Sequence, residues 1–205
     1  MGRVVRGTGH HMAKRIVILQ GHPDLASHHL CHALADGYAR GAKENGHAVE
    51  QIDVARLDFP FLRTKEDFEQ GAVPQSLSHG QDLIRAADHL VIVYPLWLGD
   101  MPALLKAYLE QIFRPGFAFQ YRERGFPVKG LKGKSARIIV TMGMPAIIYR
   151  WYFGAYSVKN LKRGILGFSG IGPVRTSLFG MVETASDGAR RRWLEQMRLL
   201  GARAS

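Results

Sequence analysis

Three short runs of branched apolar residues constrain this chain more than any other feature. They are Ile16-Val17-Ile18-Leu19, His89-Leu90-Val91-Ile92-Val93-Tyr94, and the run from Ala136 to Met142. Each is too short for a buried helix and rich in β-branched residues, so each reads as a strand buried on both faces. His47 to Val54 and Pro173 to Phe179 supply two more strands. Between them lie amphipathic stretches. Ser27 to Asn45 places Leu30, Leu34 and Tyr38 on one face, with Ser27 as candidate N-cap and Gly46 as the stop. Further helices are expected over about 78–87, over 101–113 with Pro102 in the first turn, within 146–168, and over 186–200. Residues 55–77 read as irregular and 114–133 as a long loop. Strands alternating with helices imply parallel βαβ units in an α/β three-layer sandwich. Five strands suit a doubly wound sheet of order 2-1-3-4-5 with helices on both faces.

The chain's 205 residues, 46% hydrophobic and 22% charged, are enough for one domain with a full core, taken as 14–205. Residues 1–13 lack the apolar stretch of a signal peptide and are set aside as an extension or a cloning remnant. No apolar run approaches the roughly 18 residues of a membrane span, so none is expected. The lone cysteine, Cys31, fits a reducing cytoplasm. The formal charge of +11 is uneven, near −2 over residues 1–110 and +13 over 111–205. Such asymmetry suits an anionic partner or a solvated basic surface. The basic residues do not alternate with aromatics, and no helix-turn-helix or zinc finger is present, so no nucleic acid is expected.

In a doubly wound sheet ligands gather outside the carboxyl ends of the strands. That rule selects three loops. The first runs from Gln20 to His29 into a helix N-terminus, where free N–H groups and the helix dipole favour phosphate. His22, Ser27, His28 and His29 are its donors. It lacks the GxGxxG fingerprint and the Walker A lysine, which excludes a dinucleotide-first Rossmann domain or a P-loop NTPase. The second loop, Tyr94 to Pro102, carries Pro95, Leu96, Trp97 and Leu98. Apolar groups and main-chain amides there suit the face and polar edge of an isoalloxazine. The third, Thr141-Met142-Gly143-Met144-Pro145, offers amides that could stabilise negative charge on a reduced flavin, with Tyr149 shortly after.

These loops, together with Met101-Pro102-Ala103-Leu104-Leu105-Lys106, Phe117-Ala118-Phe119-Gln120-Tyr121 and Gly170-Ile171-Gly172-Pro173-Val174, resemble the NAD(P)H:quinone oxidoreductases of the flavodoxin-like superfamily. The similarity runs from about residue 14 to about residue 200. It implies a flavin-dependent enzyme that passes hydride from NAD(P)H to a quinone or similar small acceptor by a ping-pong mechanism. It also implies a flavin, FAD in preference to FMN, and a homodimer with flavin sites at its interface. His22, Ser27, His28 and His29 would hold the phosphate arm. Pro95 to Leu98 and Thr141 to Met144 would hold the ring. Tyr149 would stand at the pyrimidine edge as the catalytic residue, and Phe119 and Tyr121 would line the acceptor pocket.

Two positions depart from the family pattern. Its charge-relay histidine falls on Ala155, and the asparagine usual in its phosphate loop falls on His29. Two other readings stand beside the enzyme. One is a flavin-binding electron carrier or regulatory subunit of a transport system, since one fold serves both. The other is a metal protein built on His28 and His32, one helical turn apart; no partner at motif spacing supports it, and no metal site is expected.

Overall fold

The computed structural model describes residues 12–25 and 29–205. Strand β1, Arg15–Gln20, is followed by α1, Leu30–Glu44, and β2, Ala48–Asp53. A 3₁₀ turn at Val54–Arg56 leads to the short helix α2, Lys65–Glu69, and then α3, Gln75–Ala86. Strand β3, His89–Pro95, and helix α4, Ala103–Ile112, come next. A two-stranded ribbon follows, β4 at Phe119–Gln120 and β5 at Val128–Lys129. Then come β6, Ser135–Thr141, α5, Ala146–Trp151, and α6, Tyr156–Asn160, which continues into a π-helical stretch at Leu161–Gly167. Strand β7, Val174–Phe179, and helix α7, Asp187–Ala202, complete the chain.

The large sheet is parallel and five-stranded, in the order β2-β1-β3-β6-β7. Counting only its own strands, this is 2-1-3-4-5, the flavodoxin-like order expected. The pattern follows from burial. Every residue of β3 is buried, and β6 is buried from Ala136 onward, so neither strand alternates. One face packs Ile16, Ile18, Val91, Val93 and Ile139 against Leu34 and Tyr38 of α1 and Met197 of α7. The other packs Val17, Leu19, Ile92 and Ile138 against Leu77, Ile84, Leu105, Tyr108 and Leu161.

The differences from expectation are local. Helix α1 begins at Leu30 with His29 at the N-cap position, and its side chain makes no capping hydrogen bond. The expected cap, Ser27, lies outside the described residues. Pro102 stands at the N-cap of α4, one residue before its first turn. The segment read as irregular holds a helix, because Thr64 caps α2 by accepting from the Asp67 N–H at 3.0 Å. The 114–133 loop contains the ribbon, only two residues wide on each side. Among the described residues no helix is long and apolar enough to cross a membrane.

Candidate active site at the strand carboxyl ends

The register of the parallel strands brings the three loops to one edge. Pro95 pairs with Thr141, and Gln20 with Val93, so β1, β3 and β6 end together. Cross-loop hydrogen bonds then fix them. The Leu96 N–H donates to the Thr141 carbonyl at 2.8 Å, and the Met142 N–H to the Phe179 carbonyl at 2.8 Å. Cys31, in the first turn of α1, meets the Thr141 hydroxyl at 3.1 Å. Burial pushes its thiol up to about 12, so Cys31 is a packing and hydrogen-bonding group, with no nucleophilic thiolate.

In the first loop, the His22 N–H donates to Gln20 Oε1, and His22 Nδ1 accepts from the Asp24 N–H, both at 3.2 Å. An accepting Nδ1 fixes the neutral tautomer: the proton is on Nε2, where it is a donor. The His22 and His29 rings stack at 3.8 Å, with His32 at 5.6 Å and 5.9 Å from them. His29 Nε2 lies 2.7 Å from an Asp24 carboxylate oxygen. Burial first, then His29 and His32, lower the His22 pKa to about 4. Burial likewise lowers that of His32. Kept neutral with Nδ1 occupied, His22 has its Nε2–H as the donor it can offer an anion. Ser27 and His28, expected on this loop, lie outside the described residues.

The second loop is a tight turn. Trp97 and Asp100 exchange N–H···O bonds at 2.8 and 2.9 Å, and Leu98 and Gly99 have φ of +48° and +79°. Positive φ at both central residues is the type I′ geometry, which glycine suits and leucine resists. Leu98 is fully exposed at the tip, Trp97 is half exposed, and the Trp97 ring lies 6.2 Å from that of His22, edge to face. First and second loops therefore meet.

These bonds decide which amides are available. Those of Leu96, Trp97 and Met142 are already used. Among the described residues the N–H groups of Leu98, Gly99, Gly143 and Met144 donate to none. Pro95 and Met142 have buried side chains and serve as packing beneath the site. An isoalloxazine needs a flat apolar contact and main-chain donors at its polar edge, and Trp97 and these four amides are groups of those two chemical kinds.

Tyr149 is buried in the first turns of α5, its hydroxyl 2.6 Å from Ser157 Oγ. Ala155 is buried at φ +48°, its N–H bonded to the Tyr149 carbonyl at 3.0 Å. The two positions are thus coupled through main chain. Phe119 and Tyr121 do not join the three loops. They line a separate cavity of about 370 Å³ between α4 and the π-helical stretch, with Phe68, Lys106, Glu110 and Phe168. Their rings, 5.3 Å apart, pack edge to face, and Phe119 does the same with Phe168 at 4.8 Å. Around the flavin-suited edge Ile147, Trp151, Tyr152 and Tyr156 are all exposed. Among the described residues no group of three or more His, Cys, Asp or Glu side chains is arranged to hold a metal ion. Gln20, Asp24 and His32 were missed as parts of the site. The histidine-rich run was the only signal, since their contacts form across the loop.

Comparison with known proteins follows the same lines. Residues 14–199 match the family described by its flavodoxin-like fold. A Haemophilus influenzae protein named as an uncharacterized NAD(P)H oxidoreductase is 30% identical over 80% of this chain and 82% of its own length. An FMN-dependent NADH:quinone oxidoreductase of Hahella chejuensis is 39% identical over 53% of this chain; the chain spans about half of that relative, 52%. In fold, the chain is similar to an FMN-dependent NADH-azoreductase of Bacillus anthracis solved in complex with FMN. That match has a TM-score of 0.72 at 21% identity and covers 92% of this chain and 97% of the other.

The relatives whose names specify a flavin specify FMN, which overturns the preference for FAD. The physical reason lies in the first loop. A helix N-terminus ringed by histidines suits a terminal phosphate dianion, which FMN carries; FAD has only the singly charged phosphates of a diphosphate bridge. Sequence match, sheet order and relatives agree: the chain belongs to the flavodoxin-like family of NAD(P)H oxidoreductases.

Proposed function

We propose that this protein is an FMN-dependent NAD(P)H oxidoreductase whose acceptor is a quinone or a similar small molecule. The observation that carries the reading is the set of amides at Leu98, Gly99, Gly143 and Met144 that donate to no group among the described residues, in two loops at the strand carboxyl ends that also hold the exposed Trp97. Bound there, FMN would supply the hydride chemistry between NAD(P)H and the acceptor, and one shared pocket for donor and acceptor would give a ping-pong order.

The chain's own residues do the rest. His22 donates from Nε2 to the phosphate, with His29 stacked on it and Ser27 and His28 proposed as further donors. Trp97 covers the apolar face of the ring. The Gly143 and Met144 amides are positioned donors for negative charge at the pyrimidine edge, worth roughly 3 kcal/mol each in comparable sites. Tyr149 is buried and tied to Ser157, which supports a role in setting the α5 edge of the site. With Ala155 in the place of the family histidine, Tyr149 and these amides carry more of that charge stabilisation.

We further propose a homodimer. The exposed Ile147, Trp151, Tyr152 and Tyr156 support it, as does the placement of Phe119 and Tyr121 in a cavity that no residue of their own chain's three loops lines, which suits a contribution to a second chain's acceptor pocket. The buried, unreactive Cys31 is in keeping with a cytoplasmic protein of one domain over 14–205.

The test is a titration of purified protein with FMN, followed by NAD(P)H with and without a quinone. The expected result is one FMN per chain and sustained NAD(P)H oxidation only with the quinone. FMN binding without turnover would indicate an electron carrier instead.

A further inference from the structure

A second charged cavity opens at the opposite edge of the sheet. It encloses about 470 Å³ where β1, β3, β6 and β7 begin, and Lys14, His89, Ser135, Arg175 and Arg203 line it. The seven residues of β3 separate it from the flavin loops, roughly 20 Å at 3.3 Å per residue.

Its lining is dominated by cations. Among the described residues no Asp or Glu side chain lines it, and Ser205, the last residue of the sequence, stands there too. Among the described residues Arg175 and Arg203 form no ion pair, and Lys14 reaches only the Ala204 carbonyl, at 3.2 Å. A fourth cation, Arg137, is committed beneath, donating to Ser177 Oγ at 2.7 Å and to the Ser205 main-chain oxygen. Three cations converging where no Asp or Glu side chain stands generate a positive potential that attracts an anion.

The wall holds a second, independent sign. His89 is 1% exposed, and its Nδ1 lies 2.7 Å from Ser135 Oγ. Its Nε2 is buried and has no partner. An unpaired buried polar atom costs stability and calls for an explanation. If Ser135 donates to Nδ1, Nε2 carries the proton and becomes a donor for a ligand. Burial, and then Lys14, Arg137, Arg175 and His47, lower the His89 pKa to about 3, so the neighbouring positive charges are felt at the ring.

We propose that this cavity is a second binding site, for a small molecule carrying a phosphate group. Lys14, Arg175 and Arg203 meet the phosphate oxygens and His89 donates from the wall. Several cations favour a dianion, and the planar fork of arginine matches phosphate geometry. The volume exceeds what a bare phosphate needs, and Ala136, Pro173 and Ala204 give an organic body apolar contact.

The experiment uses FMN-saturated protein, so that the flavin site is filled. Inorganic phosphate and phenyl phosphate are titrated at fixed ionic strength against chloride, while the His89 imidazole is followed by NMR. A saturable His89 shift is expected with both probes and not with chloride, tighter for phenyl phosphate. Arg175→Glu, and separately Arg203→Gln, weaken binding roughly tenfold or more, the scale of a charged hydrogen bond. Equal responses to phosphate and chloride would reduce the effect to screening and overturn the site. So would an unchanged affinity in both variants. The titration can be repeated without FMN, so failure of the flavin reading leaves this one standing on its own result.

Discussion

The two faces of the sheet are built in opposite ways. On one, α1 and α7 approach until their main chains touch. A Cβ on Gly41 would stand 1.8 Å from the Arg198 carbonyl oxygen, and one on Gly201 would stand 2.0 Å from that of Tyr38. On the other, the segment from α5 to α6 leaves Ile147, Trp151, Tyr152 and Tyr156 uncovered. Small residues close the first face, so it serves stability. Large residues stand mostly exposed outside the second, with only local partners such as Phe153 beside Tyr152 and Lys159 over Tyr156. Exposed large apolar groups gathered on one short segment suit a contact with something else.

The largest expected effect breaks the closed face. Gly41→Val forces α1 and α7 apart, and chemical denaturation should show a loss of roughly 3 kcal/mol or more. The matching change on the open face, Trp151→Ala, should alter the unfolding free energy of the separated chain by only about 0.5 kcal/mol. It should instead weaken self-association by roughly 2 kcal/mol, measured by sedimentation, if the open face is the dimer contact.

Acid should act next. His89, stacked against Tyr38 under the closed face, has its pKa lowered to about 3, and His22 at the open edge to about 4. Unfolded histidines take a proton near pH 6.5, which these folded ones refuse, so stability falls as pH drops below about 6.5. By pH 4.5 the His89 contribution alone amounts to a loss of roughly 2–3 kcal/mol. Melting curves of His89→Gln across this range should show a shallower acid slope than the parent protein.

Two smaller effects sharpen the account of the site. Leu98→Gly relieves a left-handed leucine and should stabilise the chain by about 1 kcal/mol, while FMN affinity falls because the turn is less rigidly held. Tyr149→Phe removes the bond to Ser157 and should cost about 1 kcal/mol in stability. If Tyr149 also supports charge at the flavin edge, the rate of flavin reduction should fall with FMN affinity unchanged. An unchanged rate would leave Tyr149 a packing residue.

The sheet was legible in sequence because strands buried on both faces must be apolar throughout, as Leu90 to Val93 are. Their order was expected from the doubly wound pattern that five such strands suit, and the three loops from its rule that ligands sit at the strand carboxyl ends. What sequence hid depended on distant contacts. The β4–β5 ribbon is too short to show a period, and the π-helical stretch at Leu161–Gly167 differs from an α-helix only in its bonding. Which amides remained free could not be read either, since the Met142 amide is taken by Phe179, far along the chain. Phe119 and Tyr121 were read as pocket residues, and their own chain holds them in a cavity apart from the flavin loops.

The central claim rests on flavin chemistry at the carboxyl edge, and stopped-flow absorption on the FMN-loaded protein addresses it most directly. Mixing with NAD(P)H without acceptor should bleach the oxidised flavin in one exponential phase, and a second mix with quinone should restore it fully. A protein that binds no FMN, or whose bound FMN NAD(P)H leaves oxidised, would contradict the account.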